Sequence, residues 1–150
     1  MRLRNQNLPG ILLLFFTTCM AAQNNSSSDS LQLIDLFKRT TTQWKDAYNS
    51  KDSRNLVPLY AIDAQYISSH VSGLVAEGRD KLIANFQNGM TGGGHVDSIQ
   101  IVKAEISFGL ATLLCKYQAT NSGVTVIGRN LLVLKKVNNI WLIILHMTVV

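Results

Sequence analysis

Cysteine and proline are both scarce, with two of each among 150 residues, and so few cysteines exclude a disulfide-stapled scaffold. Cys19 lies near the N-terminus, in a segment that we expect to be removed, so Cys115 would be the one cysteine of the folded part. Cys115 alternates with Leu113 and Tyr117 along an apolar segment. This spacing predicts a packed thiol on the inner side of a strand, since nothing nearby in the sequence would activate it as a nucleophile.

Charged residues are also few, at 15% of the chain, and the positive charges are scattered. The formal net charge is +5, to which Arg2 and Arg4 contribute from a predicted leader. A protein that binds nucleic acid concentrates Lys and Arg in a stripe or patch, and the pair Lys135-Lys136 is too small a cluster. We therefore expect no nucleic-acid partner.

Motifs for nucleotide or metal cofactors are absent from the sequence. The glycine run 92–94 has no lysine after it, so it does not resemble a phosphate-binding loop. No two of the three histidines have the i and i+4 spacing of a zinc site on a helix. We therefore expect neither a cofactor nor a metal ion.

The first 22 residues have the three parts of a secretory signal peptide. Arg2 and Arg4 precede the apolar run ILLLFF, and small residues follow as far as Ala22. This pattern predicts a signal peptide over residues 1–22 and export to the periplasm or the exterior. A polar linker over 23–30 and one folded domain over 31–150 are expected to follow. Lipidation at Cys19 is the alternative, and it alone would place the protein at a membrane.

Three helices are predicted before the main run of strands. The first carries an apolar stripe, with Asp29 or Ser30 as its cap. The second spans KDSRNLVPLYAIDA with Asp52 as its cap, and Pro58 should kink or shorten it. The third lies in GRDKLIANFQNG, where Gly89 is expected as the left-handed residue at its C-terminus. The stripe of the first helix consists of Ile34, Phe37, Thr41, Trp44 and Tyr48.

Strand patterns flank a turn at Ser72-Gly73, and four more strands follow from residue 95 onward. In the first of the four, apolar residues change parity at Ile101-Val102 and continue to Phe108, as a β-bulge produces. The last two strands are apolar on both faces, so we expect a second copy of the chain to cover the outer face of the sheet. The order of the helices and strands along the chain predicts an α+β fold with helices on one face of a bent sheet. The predicted turns are Gly109, Asn121-Ser122-Gly123 and Asn138-Asn139.

Short motifs along residues 31–148 resemble the nuclear transport factor 2-like superfamily, and within it the SnoaL-like domains of mostly unknown function. Pro58 and the Asn138-Asn139 turn depart from the pattern, which has a smooth second helix and more often Asp-Gly in that turn. The resemblance implies a cone-shaped, curved antiparallel sheet, with three helices on its concave face and an apolar cavity open at one end. The matching residues are Trp44 with Tyr48, LYAIDA ending in Asp63-Ala64, Glu77-Gly78-Arg79, Gly128-Arg129, and Lys135-Lys136 to Trp141.

Relatives with this fold use the cavity in different ways, so the resemblance does not decide the function. Some isomerise steroids, cyclise polyketides, dehydrate phenols or hydrate epoxides. Others bind proteins or assemble into oligomers and catalyse nothing.

Three residues are candidates for a general base: Asp63, His70 and His146. A carboxylate in an apolar cavity would have a raised pKa, which suits Asp63 to this role. An aspartate at a helix–strand corner more often caps or hydrogen-bonds the backbone, and we expect that structural role. His146 shares the parity of Leu142 and Ile144, which favours a position on the sheet face or at an interface.

The side chains expected to line the cavity are mainly aromatic, because tyrosine and tryptophan add a hydrogen-bond donor to their bulk. Arg129 shares a face with Ile127 and Leu131, where it needs an acid or a bound anion as its partner. The expected lining residues are Trp44, Tyr48, Tyr60, Tyr66, Phe86, Tyr117, Arg129 and Trp141.

Two functions remain open on this evidence. The first is an exported, non-catalytic homodimer that binds a small apolar molecule or a partner in its cavity. The second is a cofactor-free isomerase, cyclase or dehydratase that uses Asp63 or a histidine as base and tyrosine hydroxyls as donors. Geometry distinguishes them, because an enzyme should bring a base and a donor to one spot inside the cavity.

Overall fold

The computed structural model describes residues 21–69 and 74–150. The predicted leader up to residue 20, with Cys19, lies outside the described residues, as do His70 and the Ser72-Gly73 turn. The chain divides into two units, residues 1–33 and Ile34–Val150. All packing and site geometry described below belongs to the second unit.

Two α-helices and one short 3₁₀ helix precede or interrupt the strands. Helix α1 is Ala21–Asn49, the 3₁₀ helix is Ser53–Leu59 and helix α2 is Arg79–Thr91. Helix α1 starts before the predicted cap at Asp29 or Ser30 and includes the predicted polar linker, because no glycine or proline interrupts it. Among the described residues, no helix combines the length and apolar composition needed to cross a membrane.

The 3₁₀ helix confirms one prediction and corrects another. Asp52 is its N-cap, and its carboxylate accepts a hydrogen bond from the Arg54 backbone N–H. The helix ends at Leu59, one residue after Pro58, whereas helix was expected to continue through Ala64. Proline lacks a backbone donor and disfavours helical geometry in the residue before it, so the chain becomes extended at Tyr60.

The strands form one six-stranded sheet with the order β2-β1-β6-β5-β4-β3. Neighbouring strands are antiparallel except β1 and β6, which are parallel. This confirms an α+β fold with a curved, unclosed sheet and three helices, while the cone shape stays an expectation. The strands are β1 Tyr60–Ser68, β2 Leu74–Glu77, β3 His95–Ser107, β4 Leu110–Asn121, β5 Val124–Val137 and β6 Ile140–Val149.

Three tight hairpins connect β3 to β6, at the turns that the sequence predicts. Each turn has two central residues with positive φ, as in a type I′ turn, whose twist matches that of the flanking strands. Phe108, the last residue of the predicted parity series in β3, is one of these residues, with φ of 45°, and its side chain is fully exposed at the turn. The central pairs are Phe108-Gly109, Ser122-Gly123 and Asn138-Asn139.

Two of the register shifts in the sheet, in β3 and β6, change which side chains of these strands point inward. The pairing of β3 with β4 shifts between Ile101 and Lys103, which confirms the parity change predicted in this strand. A second shift lies between β5 and β6, where Leu134 pairs with Ile143 and Val133 with Leu145. It leaves Ile144 unpaired, so the inward parity of β6 changes before His146. His146 is therefore on the inner face of the sheet and 2% exposed, not on the parity of Leu142 and Ile144 that the sequence predicts for it.

The core lies between the inner face of the sheet and the two α-helices. Phe37 on α1 makes an edge-to-face contact with Trp141 on β6, with ring centroids 5.3 Å apart. Phe86 on α2 packs against Tyr66 on β1 at 4.8 Å. Cys115 is fully buried on β4, and burial raises the pKa of its thiol to about 12, in agreement with a packed thiol.

Gly89 lies within α2 rather than at its end, because the helix continues to Thr91 and the left-handed residue is Gly93. A Cβ atom at Gly89 would lie 2.6 Å from the hydroxyl oxygen of Tyr48. The absence of a side chain at Gly89 thus makes room for the close approach of Tyr48, and its backbone conformation does not call for glycine.

Gly89→Ala should destabilise the protein by about 1 kcal/mol or more, because the added methyl group overlaps the Tyr48 hydroxyl. In a Tyr48→Phe background the same change should stabilise by roughly 0.5–1 kcal/mol, since alanine is the better helix former. Denaturant unfolding of the four proteins of this double-mutant cycle measures the difference. Equal destabilisation in both backgrounds would contradict the assigned role of Tyr48.

Candidate functional site

A cavity of about 620 Å³ lies between the inner face of the sheet and helices α1 and α2. Five aromatic side chains from both helices, β1 and β4 form part of its wall, beside polar residues such as Asn85, Asn88 and Thr120. A concave, mainly apolar site with a few polar groups is the usual form of a small-molecule site. The aromatic lining residues are Trp44, Tyr48, Tyr66, Phe86 and Tyr117.

Buried hydrogen bonds join helix α1, strand β1 and strand β6 at the cavity wall. The Trp44 Nε1–H donates to the Tyr60 hydroxyl oxygen at 2.7 Å, and Tyr60 lies 2.8 Å from Nδ1 of His146. Because Tyr60 accepts from Trp44, we assign its own proton to the bond with His146, which makes Nδ1 the acceptor. The imidazole proton is then on Nε2, which lies 3.3 Å from the Thr148 hydroxyl.

Burial favours the neutral forms of His146 and of three tyrosines in or behind the cavity wall. Burial lowers the pKa of His146 to about 3, because the cationic imidazolium would be desolvated. Burial also raises the pKa of Tyr117 to about 12, and raises those of Tyr48 and Tyr60. These groups carry no charge in neutral solution.

Carboxylates do not line the cavity within the part of the chain that the structure describes. Asp63 is exposed on β1, where Ala64 and Tyr66 take the buried positions. It lies at the register shift of β1 against β6 and not at a helix end, so it is neither a cap nor a cavity base. From Asp35 to Glu105, every described acid has an exposed or partly exposed side chain.

Of the eight expected lining residues, five line the cavity and three do not. Tyr60 is buried behind the wall and reaches the cavity through His146. Trp141 packs against Phe37 in the core. Arg129 is exposed on the outer face, because Gly128 and Asn130 take the inward positions of β5, and this corrects its predicted place in the cavity.

Of the two candidate bases within the described residues, Asp63 and His146, His146 lines the cavity and Asp63 does not. His95 lies at the mouth, half exposed, with Nε2 3.8 Å from a carboxylate oxygen of Asp97. In the described part of the chain, no three metal-binding side chains form a cluster.

The inner face also carries a polar row that the sequence analysis missed. Ser68, Thr148 and Asn130 are direct neighbours on β1, β6 and β5, all three are buried, and all three line the cavity. We call these three residues the polar row. The sequence could have indicated these residues, because each is a polar residue at an inward-facing position of an otherwise apolar strand.

Asn130 is the member of the polar row whose buried hydrogen-bond acceptor lacks a donor among the described residues. Its side chain is 6% exposed, and its Oδ1 has no hydrogen-bond partner among the described residues. A buried acceptor without a partner costs about 1–3 kcal/mol, so native proteins rarely retain one without a reason.

Comparison with known proteins identifies the architecture. No protein-family model and no curated protein matches the chain. Among solved structures, a function-unknown protein from Mycobacterium tuberculosis superposes with a TM-score of 0.71 at 16% identity, covering 82% of this chain and 74% of that one. An NTF-2 like protein of unknown function from Shewanella oneidensis has a TM-score of 0.66 at 17% identity, covering 77% of this chain and 97% of that one.

The chain has the nuclear transport factor 2-like fold. A third similar structure is a hypothetical protein with a ketosteroid isomerase-like fold from Catenulispora acidiphila, in complex with trimethylamine. Its TM-score is 0.56 at 18% identity, covering 74% of this chain and 84% of that one. Identities this low establish the nuclear transport factor 2-like fold alone, so the activity has to be argued from the cavity.

The buried neutral His146 should make stability depend on pH. Below an ordinary pKa of 6.5, the unfolded chain binds a proton that the folded chain excludes until about pH 3. The contribution of His146 to the free energy of unfolding is therefore fully present above pH 6.5. As the pH falls from 6.5 towards 3, the free energy of unfolding decreases by up to about 1.4 kcal/mol per pH unit. Urea unfolding across this pH range should show a smaller slope for His146→Gln, which keeps a neutral acceptor for Tyr60.

His95→Gln is the matched control, because it removes an exposed imidazole from the same fold. It should keep the pH dependence of the parent protein. An unchanged slope in His146→Gln would show that His146 is not the group responsible.

Proposed function

We propose that this nuclear transport factor 2-like domain binds a small, mostly apolar molecule in its cavity and catalyses no reaction. The observation that carries the proposal is the combination of five aromatic side chains with a buried, neutral His146 and no aspartate or glutamate among the described lining residues. Such a site gains binding free energy from burying apolar surface and does not require a charged ligand.

Catalysis by a general base is the less favoured alternative. A general base works best when its pKa is near the working pH, whereas the pKa of His146 is lowered to about 3. Its Nδ1 is already occupied by the Tyr60 hydroxyl. The described acids all lie outside the cavity lining. An isomerase, cyclase or dehydratase would therefore lack the carboxylate base for which Asp63 was the candidate.

The similarity to the trimethylamine-bound structure raises a cationic ligand as a rival. Aromatic faces attract ammonium groups, and this cavity has five aromatic side chains in its wall. A desolvated cation without a nearby carboxylate loses much of its hydration energy, however, so we favour an uncharged ligand.

N-phenylnaphthylamine, a neutral fluorescent probe, should bind saturably with one molecule per domain. Tyr117→Ala should weaken binding by about tenfold or more, because it removes a large part of the aromatic wall. Fluorescence titration measures both effects. Phe108→Ala is the matched control, since Phe108 is a fully exposed aromatic residue outside the cavity lining.

Two results would count against this function. The first is probe binding that Phe108→Ala weakens as much as Tyr117→Ala does. The second is a turnover that Asp63→Asn abolishes while stability and probe affinity are unchanged, because an exposed aspartate with no catalytic role should tolerate this substitution within about 0.5 kcal/mol.

We also propose that the domain is a homodimer through the outer face of its sheet. Five apolar residues form a row across β2, β1, β6, β5 and β4 on the face opposite the cavity, and we call them the outer row. All of them are exposed or partly exposed in the single chain. A second copy of this face would remove the outer row from water. The outer row consists of Val75, Ile67, Met147, Leu131 and Leu114.

Charges beside the outer row support a second copy as its occupant. Lys116 and Arg129 are exposed and lie directly opposite each other on β4 and β5, where like charges destabilise a sheet. Glu77 and Asp63 are exposed acids on β2 and β1. In a symmetric, face-to-face dimer, the basic end of one copy can meet the acidic end of the other.

Size-exclusion chromatography with light scattering should give a dimer for the parent protein at micromolar concentration. Leu131→Lys places a charge in the middle of the outer row and should shift the protein to a monomer with little loss of helix or strand content. Phe108→Lys adds the same charge at an exposed hairpin tip and should leave the dimer intact. A monomeric parent protein would end this part of the proposal.

Export is the third part of the proposed function, and it rests on the N-terminal sequence pattern alone. The predicted signal peptide would direct the domain to the periplasm or the exterior, with lipidation at Cys19 as the alternative. The N-terminal residue of the mature protein and the mass of its first peptide distinguish cleavage after Ala21 or Ala22 from lipidation at Cys19.

A further inference from the structure

We propose that the ligand of the cavity is an uncharged, apolar molecule with a hydroxyl group, and that this hydroxyl binds at Asn130 in the polar row. The inference rests on the proposed ligand-binding function and adds the chemical class of the ligand. It starts from the buried Oδ1 of Asn130, which has no hydrogen-bond partner within residues 21–69 and 74–150 and belongs to a side chain that lines the cavity.

The Oδ1 atom of Asn130 requires a hydrogen-bond donor, and few donors lie beside it on the inner face of the sheet. Asn130 is flanked across the sheet by Cys115 on β4 and Thr148 on β6. The Thr148 hydroxyl already interacts with Nε2 of His146. Cys115 has a fully buried thiol, which is a weak donor. A ligand group in the cavity is therefore the natural partner for the amide of Asn130.

A hydroxyl group fits this requirement better than the other common polar groups. It donates one hydrogen bond and accepts others, so it can pair with the oxygen of the amide and also accept from a neighbouring N–H or O–H. A carbonyl or ether oxygen can only accept, and would leave Oδ1 unpaired. A carboxylate has the same deficiency, and its charge would lose hydration beside the buried polar row.

An ammonium group could donate to Oδ1, but its charge would have no counterpart. The lining residues from the described part of the chain include no aspartate or glutamate. Within an aromatic wall, a single amide oxygen would not replace the hydration of a buried cation. The polar row therefore selects for a neutral donor.

The ligand can be tested with a matched series built on one aromatic scaffold. Naphthalene has no polar group, naphthol adds a donor and acceptor, and the methyl ether of naphthol keeps only the acceptor. Naphthoate and naphthylmethyl-trimethylammonium add a negative and a positive charge. Quenching of Trp44 fluorescence or isothermal titration at neutral pH gives the affinities, with Trp141 as the one other tryptophan of the chain.

The parent protein should bind naphthol about tenfold more tightly than naphthalene or the methyl ether, since one buried neutral hydrogen bond contributes about that factor. In Asn130→Leu this preference should disappear while naphthalene binding is kept or strengthened. Gln118→Leu is the matched control, because Gln118 is exposed on the opposite face of the sheet, and it should keep the preference.

The outcomes separate this inference from the proposed function. Equal affinities for naphthol and naphthalene in the parent protein, or stronger binding of either charged analogue, would overturn the inference and leave the apolar cavity site standing. A naphthol preference that persists in Asn130→Leu would overturn the assignment to Asn130. If no compound of the series binds, both the inference and the proposed function fail. The series in the parent protein decides the question even if Asn130→Leu does not fold.

Discussion

The buried hydrogen bonds of Tyr60 constrain the interior of this protein more than any other contact. Tyr60 is 1% exposed and joins Trp44 on α1 to His146 on β6, with bonds of 2.7 and 2.8 Å. Loss of one partner would leave a buried polar group unpaired, at a cost of about 1–3 kcal/mol. The helix, the first strand and the last strand therefore hold one another in register through a single hydroxyl, and the aromatic wall of the cavity is built on them.

The position of His146 depends in turn on the β-bulge at Ile144. Without the extra residue, the side chains after it would point to the opposite face, and the imidazole would be on the outer surface. The bulge therefore has two effects, since it places His146 beside Tyr60 and Thr148 beside Asn130. The cavity chemistry and the apolar outer row are set by the same irregularity in the last strand.

Much of the fold could be predicted because its signals are local and regular. The apolar stripe of α1 follows helical spacing, the turns carry Gly, Asn and Ser, and the bulge in β3 shows as a parity change between Ile101 and Val102. The bulge in β6 could not be found in this way. Residues 142–145 are all apolar, so a shift of register leaves no trace in their pattern. The sequence therefore could not show that His146 leaves the parity of Leu142 and Ile144.

Other errors have tertiary causes that no local pattern contains. Gly89 has the appearance of a helix terminus, yet it lies within α2, where it makes room for the Tyr48 hydroxyl that approaches from another helix. In the sequence, Arg129 indicates a functional group because a charged side chain between apolar neighbours needs a partner, whereas the neutral Asn130 gives no such signal. The structure reverses their importance, since strand parity places the arginine in solvent and the amide in the cavity.

The same parity argument explains why the fold alone does not specify catalysis here. On β1 the inward positions are occupied by Tyr60, Ala64, Tyr66 and Ser68, and the aspartate lies on the outer parity. A base of useful strength would need an acid at one of those inward positions, or an imidazole that a carboxylate keeps easier to protonate. This chain instead surrounds its imidazole with aromatic rings, and burial of that kind favours the neutral form. The arrangement that makes the cavity suitable for an apolar ligand is thus the one that makes its histidine a poor base.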